Sequence, residues 1–264
     1  MRHGSRGTSW LGVAFLMAAT PAGASGTTTS HYTGTAYAPG SGAIVYREEH
    51  WIVDEGASRE RLVLYRCTDG RPFARKYLRY ANTPWLPDVD YEDGRTGYRE
   101  RVRVDGARLS TTVVEGPAGK ADTATLAVHA DTVVDAGFDD FVRMHWDAIS
   151  APKGLSARFV VPSHGDDLGL NIRPDGADDP SARVRRFRMA LDGWLGAIAP
   201  KVTLVYTADT RRLVGFEGLS NVRGDDGKTQ KVRIVFTPED DRPPASLAQV
   251  DAARRLPLAG RCTR

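Results

Sequence analysis

Apolar and polar positions alternate with a period of two through most of the chain, and each run ends at a Gly-, Asp- or Pro-rich turn. Leu62-Val63-Leu64-Tyr65-Arg66-Cys67, reversing at Asp69-Gly70 into Phe73 to Tyr80, is the clearest instance and predicts a β-hairpin. The same format predicts strands over 43–53, 85–92, 98–104 and 109–115, with a shorter one over 123–129. Beyond 150 it predicts further strands over 157–161, 168–173, 183–191, 201–207, 211–222 and 229–236. Between the two series the period changes to 3.6. Phe138, Phe141, Val142, His145 and Ile149 fall on one face of a helix over 137–149, with Trp146 at its border and Asp139, Arg143 and Asp147 opposite. Asp135 is the expected N-cap and Pro152 the stop.

The predicted fold is mainly β: a strongly curved antiparallel sheet, an open or half-barrel meander, wrapped around one main α-helix. One amphipathic helix inserted in a meander needs a concave seat, and burying its apolar face is worth about 8–12 kcal/mol of gross transfer energy at about 2 per large residue. No linker-quality break interrupts the strands except 116–122, so 43–237 is expected to be one domain. The Thr-, Ser- and Gly-rich stretch 25–42 is expected as a flexible lead-in with a short strand near Thr35-Ala36-Tyr37, and the Pro- and Arg-rich 238–264 as an irregular tail.

Residues 1–24 change the picture of where the chain works. Arg2, His3 and Arg6 precede a short apolar run, Trp10 to Ala19, and Ala22-Gly23-Ala24 forms a small-x-small cleavage signal. The run falls short of the roughly 20 residues a bilayer span takes, so an exported, most simply periplasmic, protein with no transmembrane segment is expected. Removing 1–24, which carry Arg2 and Arg6 and no acid, takes the formal charge from +3 to +1. A near-neutral chain with acids and bases interleaved gives no reason to expect nucleic acid; Arg183, Arg185, Arg186 and Arg188 divide between two strand faces. Two cysteines, Cys67 and Cys262, are an even number for an oxidising compartment, and a bridge between them would pin the tail to the first large hairpin.

Chemistry-bearing patterns are sparse. The histidines His31, His50, His129, His145 and His164 show no zinc spacing with other ligand types. Ser163-His164-Gly165-Asp166-Asp167 has triad residue types on adjacent positions, which cannot face one another as triad members do. Asp88 to Gly94 resembles half of a calcium loop with its glycine one position late; on a strand, Asp88, Asp90 and Glu92 instead line the wet face. No catalytic residue, metal ligand or cofactor motif is assigned, and the chain is expected not to be an enzyme. Tyr-Arg-Glu-Glu-His-Trp (46–51), Leu64 to Lys76, Asp-Ala-Gly-Phe-Asp-Asp-Phe-Val (135–142) and Phe-Glu-Gly-Leu-Ser-Asn-Val (216–222) resemble a family of exported, uncharacterised bacterial proteins. In strand pattern the chain is also similar to the LolA-type open-barrel envelope carriers, although no cysteine follows the cleavage signal to serve as a lipid anchor.

The expected role is therefore binding of an apolar or amphiphilic envelope molecule, a lipid for instance, between sheet and helix. Phe138, Phe141, Val142, His145 and Trp146 are the helix-side candidates, and Phe187, Met189 and Leu191 the sheet-side ones. The alternative is an envelope interaction or scaffold protein, with a protein partner and no small-molecule site.

Overall fold

The computed structural model describes Met1 and residues 26–81, 83–176, 183–192 and 201–263; the predicted leader over 1–24 lies outside this set apart from Met1. The chain folds as one large meander sheet that is not closed into a barrel. Eight strands form its N-terminal half: β1 (Thr28–Tyr37), β2 (Ile44–Asp54), β3 (Arg59–Arg66), β4 (Pro72–Tyr80), β5 (Asp88–Asp93), β6 (Tyr98–Asp105), β7 (Arg108–Val114) and β8 (Ala121–Ala127). Each pairs antiparallel with the next. The second half runs β9 (Thr132–Val134), helices α1 (Gly137–Met144) and α2 (Trp146–Ser150), β10 (Leu155–Val161), β11 (Asp166–Pro174), β12 (Val184–Leu191), β13 (Val202–Thr207), β14 (Leu213–Arg223) and β15 (Thr229–Val235). All pairings here are antiparallel except β9 with β10.

The halves join at β1. It pairs with β2 along its whole length but with β15 over only Thr35, Ala36 and Tyr37. A side chain at Gly34 would strike Phe236, whose ring carbon lies 2.3 Å from where a Cβ would stand, so the seam requires glycine there. The stretch 25–42 is thus not a flexible lead-in but mostly a ten-residue central strand. Its threonines are β-branched and suit a ladder once a partner exists on each side.

The helix over 137–149 is interrupted at His145, which leaves helical geometry (φ −104°, ψ 25°). Its imidazole competes at the Phe141 carbonyl, which accepts from both the His145 N–H and Nδ1–H at 3.0 Å. Phe141, Val142, Trp146 and Ile149 pack with Leu170, Ile172, Phe187, Leu204 and Tyr206 of the second half. A separate core lies on the inner face of the first half, around Tyr46, Tyr65, Leu78, Tyr91 and Val102.

The tail expected to be irregular also folds. After a two-residue strand, β16 (Asp241–Arg242), paired with β1, comes α3 (Leu247–Arg254), opened by a capping box in which Ser246 and Gln249 bond each other's backbone N–H. Val250 and Ala253 seal the outer face of β2 and β3 against Trp51, Val53, Leu62 and Leu64. Cys67 and Cys262 form the expected disulfide, with Cα atoms 5.4 Å apart. It crosslinks positions separated by 195 residues, so replacing both cysteines by serine is expected to cost about 2–5 kcal/mol in urea unfolding without reductant, a difference that disappears when reductant opens the disulfide of the parent. An unchanged midpoint would mean that α3 docks as firmly without the covalent tie.

Candidate functional site

Strand pairing lines up an unusual row across the inner face of the first half. Tyr32, His50, Val63, Lys76, Tyr91 and Glu100 stand opposite one another on successive strands from β1 to β6. Sheet alternation therefore sends two bases and an acid to the side that holds the core, together with Glu48 and Arg61. The outer face takes Asp88, Asp90 and Glu92, which pair there with Arg79, Arg101, Arg103 and Arg75. A hollow of about 360 Å³ is lined by four of these charges, Arg75, Asp90, Glu92 and Arg101.

The inner row opens into a much larger cavity, about 930 Å³, within the range of ligand pockets. One wall is the inner face of β2–β6. The opposite wall is apolar, with Phe159, Leu168, Leu170, Met189, Leu191 and Phe216 from β10 to β14. Between them stand Val134 to Ala136 and the first turns of α1. Pro162 to His164 form part of the rim, where a Cβ on Gly165 would lie 3.0 Å from Ala124 of β8, so the two ends of the open sheet approach each other.

Three polar groupings occupy this cavity's charged side. Lys76 Nζ donates to both Asp135 oxygens at 2.7 and 3.0 Å, and Asn221 of β14 donates to the same carboxylate at 2.8 Å. Asp135 does not cap α1 as predicted; its backbone sits at φ +44° and its carboxylate is drawn to Lys76. Burial opposes the Lys76 ammonium, but Asp135 outweighs it and holds the pKa above the ordinary lysine value. In the second grouping His50 Nε2–H donates to Glu48 at 3.0 Å, which leaves Nδ1 to accept from Arg61 Nε at 3.3 Å and Nη2 at 3.1 Å. Arg61 Nη2 also donates to the Tyr32 hydroxyl at 2.9 Å, and the Tyr32 ring stacks on His50 at 4.6 Å. In the third, Arg59 makes a two-pronged contact with Asp140, while Arg143 bonds Asp139 at 2.8 Å and Asp140 at 3.2 Å. The polar side of α1 thus faces β3 across the cavity.

Of the eight side chains named from sequence, Phe138, Met189 and Leu191 line this cavity. Phe141, Val142, Trp146 and Phe187 lie in the packed cluster between helix and sheet, and His145 is wedged between the rings of Phe141 and Trp85 at 4.3 and 5.3 Å. Sequence reading missed Glu48, His50, Arg61, Lys76, Glu100 and Asp135. Their common signal is parity: each strand member shares alternation with inward apolar residues such as Tyr46, Val63, Leu78 and Val102. Ser163 and His164 lie at the cavity rim, and among the described residues no group of three or more potential ligands could hold a metal ion.

No protein-family model matches the chain, and no curated protein does. Two solved structures show a distant likeness. One is the Pseudomonas aeruginosa MucA/MucB complex, at 11% identity, covering 84% of this chain and 95% of that one with a TM-score of 0.15. The other is MucB in complex with MucA(peri), at 12% identity, covering 83% and 94% with the same TM-score of 0.15. At that TM-score the likeness carries no argument about architecture or role. No helix among the described residues is long and apolar enough to cross a membrane.

Two outcomes follow from the buried charges. Asp135→Asn tolerates the left-handed backbone but strands the Lys76 ammonium, and is expected to cost about 3–5 kcal/mol, as is Lys76→Met. The double variant should cost well under the sum, which urea denaturation of the three proteins reads directly. The second concerns pH. Burial pushes Glu100 up to about 7, with Asp135 adding to the rise against Lys76 and the Tyr98 hydroxyl. Burial pulls His50 down to about 4, with Arg61 adding to the fall against Glu48. Folded Glu100 keeps a proton that the unfolded chain releases above 4.5, so its contribution is lost as pH rises towards 7. Folded His50 refuses a proton that the unfolded chain takes up below 6.5, so its contribution is lost as pH falls towards 4. The two slopes oppose each other between pH 4.5 and 6.5. Glu100→Gln should leave stability climbing with pH across that window, and His50→Gln should leave it descending, each by about 1–3 kcal/mol. Parallel pH profiles for both variants and the parent would refute the assignment.

Proposed function

We propose that this is an exported, non-catalytic protein that takes an amphiphilic envelope molecule into the space enclosed by its curved, half-barrel sheet and α1. The observation that carries the reading is the cavity of about 930 Å³, which sets an apolar wall against a charged one. A packed structural core of this size would close such a space, because unfilled volume costs dispersion contacts. An amphiphile matches both walls: chain against Leu170, Met189 and Leu191, polar end against β3 and β4. The disulfide suits the oxidising compartment that the predicted leader implies, and the periplasm is the simplest destination.

A second reading, an envelope interaction or scaffold protein without a small-molecule site, draws on β8. Among the described residues that strand pairs only with β7, and most of its residues are exposed, so it offers an edge to a partner strand.

The readings separate on a binding measurement. A hydrophobic fluorophore such as N-phenyl-1-naphthylamine is expected to brighten on the parent protein. It should lose at least tenfold in affinity on Leu191→Trp, which fills the cavity from β12. An absence of binding by the parent, or binding indifferent to Leu191→Trp, would overturn the cavity reading and favour the scaffold.

A further inference from the structure

Arg61 stands apart from the other cations of the cavity that are not exposed; Arg242, which is exposed, bonds only the Glu239 carbonyl among the described residues. Arg59 and Arg143 are held by Asp140 and Asp139, Lys76 by Asp135, and Arg212 at the rim by both oxygens of Asp241 at 2.6 Å. Arg61 bonds only neutral acceptors among the described residues: the ring nitrogen of His50 and the hydroxyl of Tyr32. The acids that bear on it electrostatically make no direct bond to it: Glu48 bonds His50, and Asp139 bonds Arg143 through Oδ2. Its Nη1 donors meet no described acceptor, although the side chain lines the cavity.

A guanidinium taken from water into a protein interior is normally paired with an anion, because hydrogen bonds to neutral groups recover only part of its hydration. Here the surrounding structure holds it in one orientation. Glu48 fixes the tautomer of His50, His50 and Tyr32 stack, and between them they accept from Nε and Nη2 of the guanidinium. Nη1, with both its hydrogens, is left for something in the cavity. Planar, forked N–H groups suit an oxyanion better than a neutral hydroxyl or amide.

We propose that Arg61 is the anchor for an oxyanion headgroup, a carboxylate or a phosphate monoester, on the amphiphile that occupies the cavity. The inference rests on the binding reading given above and adds the charge and position of the ligand's polar end. Tyr32 and His50 act as positioning residues: they hold Nε and Nη2 of the guanidinium and leave its Nη1 amino group free. His50, held neutral by burial, adds no charge that would attract a second acid.

The test compares three probes of one chain length, laurate, dodecyl phosphate and 1-dodecanol, each displacing N-phenyl-1-naphthylamine from the parent protein, Arg61→Met and Arg61→Lys. In the parent at least one anion should bind tenfold or more tighter than the alcohol, and which anion binds tighter assigns the headgroup. Arg61→Met should bring the anions to the level of the alcohol while alcohol and fluorophore keep their affinity. Arg61→Lys, which keeps the charge but loses the fork, should hold the anions at an intermediate level, and it serves as the test if the methionine variant does not fold. Equal binding of anions and alcohol by the parent, or an anion preference that survives both substitutions, would overturn Arg61 as anchor and leave the cavity reading standing. Failure of all three probes and of the fluorophore would remove the cavity reading itself.

Discussion

The Asp135 carboxylate is the point on which the two halves of the sheet converge. Lys76 reaches it from β4, Asn221 from the end of β14, and α1 begins two residues beyond it. The ladder between the halves is short, three residue pairs between β1 and β15, so backbone pairing alone gives the seam little rigidity. Side chains supply the rest. Ser220 bonds Tyr46 at 2.9 Å, and Arg223 lies over the Tyr98 ring at 3.9 Å. Residues 220–223, where β14 breaks register with β15, thus lie across the inner face of the first half. A buried ion pair rarely adds much over an apolar substitute, but it does demand one geometry, because each partner stranded alone is costly. That demand fixes where α1 enters, and with it the width of the cavity.

The same geometry explains why the space persists. Filling it with aliphatic side chains would bury the ammonium, the guanidinium and several carboxylates without room for their partners. The charged wall needs hydrogen-bonding distances, and the apolar wall is held away by α1 and α2, which occupy the hollow of β11–β13 through Phe141, Val142, Trp146 and Ile149. Access to the cavity and a fixed charge pattern therefore have one cause.

Much of the strand order was readable in the sequence because alternation and turn chemistry agree along β2–β8 and β10–β15. Asp69-Gly70, Asp105-Gly106 and 224–227 each reverse the chain between adjacent strands, as turn residues there predict. Two elements were hidden for physical reasons. β1 is Thr-, Ser- and Gly-rich because Gly34 must let Phe236 approach and because its order comes from neighbours on both sides; locally it resembles a linker. α3 buries only Val250 and Ala253, too narrow a stripe to stand out against Arg- and Pro-rich surroundings. The helix was legible but not its break, which depends on His145 sharing the Phe141 carbonyl.

The candidate site was hidden by the assumption that makes strand reading work. Apolar-in, polar-out alternation assigns a face from the majority of residues, and charged residues at inward positions are then treated as noise. In β4 the sequence Ala74-Arg75-Lys76-Tyr77-Leu78 carries adjacent bases, and parity alone puts Arg75 outside and Lys76 inside with Ala74 and Leu78. The same parity places His50 with Tyr46, and Arg61 with Val63 and Tyr65. Each inward charge by itself is an ordinary irregularity of a strand. Their meaning appears only when register sets them side by side across β2–β6, where they form one charged wall rather than isolated exceptions. An inward ionisable residue on a strand whose other inward positions are apolar costs stability unless something answers it. Asp135 answers Lys76 and Asp140 answers Arg59, whereas Arg61, among the described residues, is met only by His50 and Tyr32 and turns its Nη1 to the cavity.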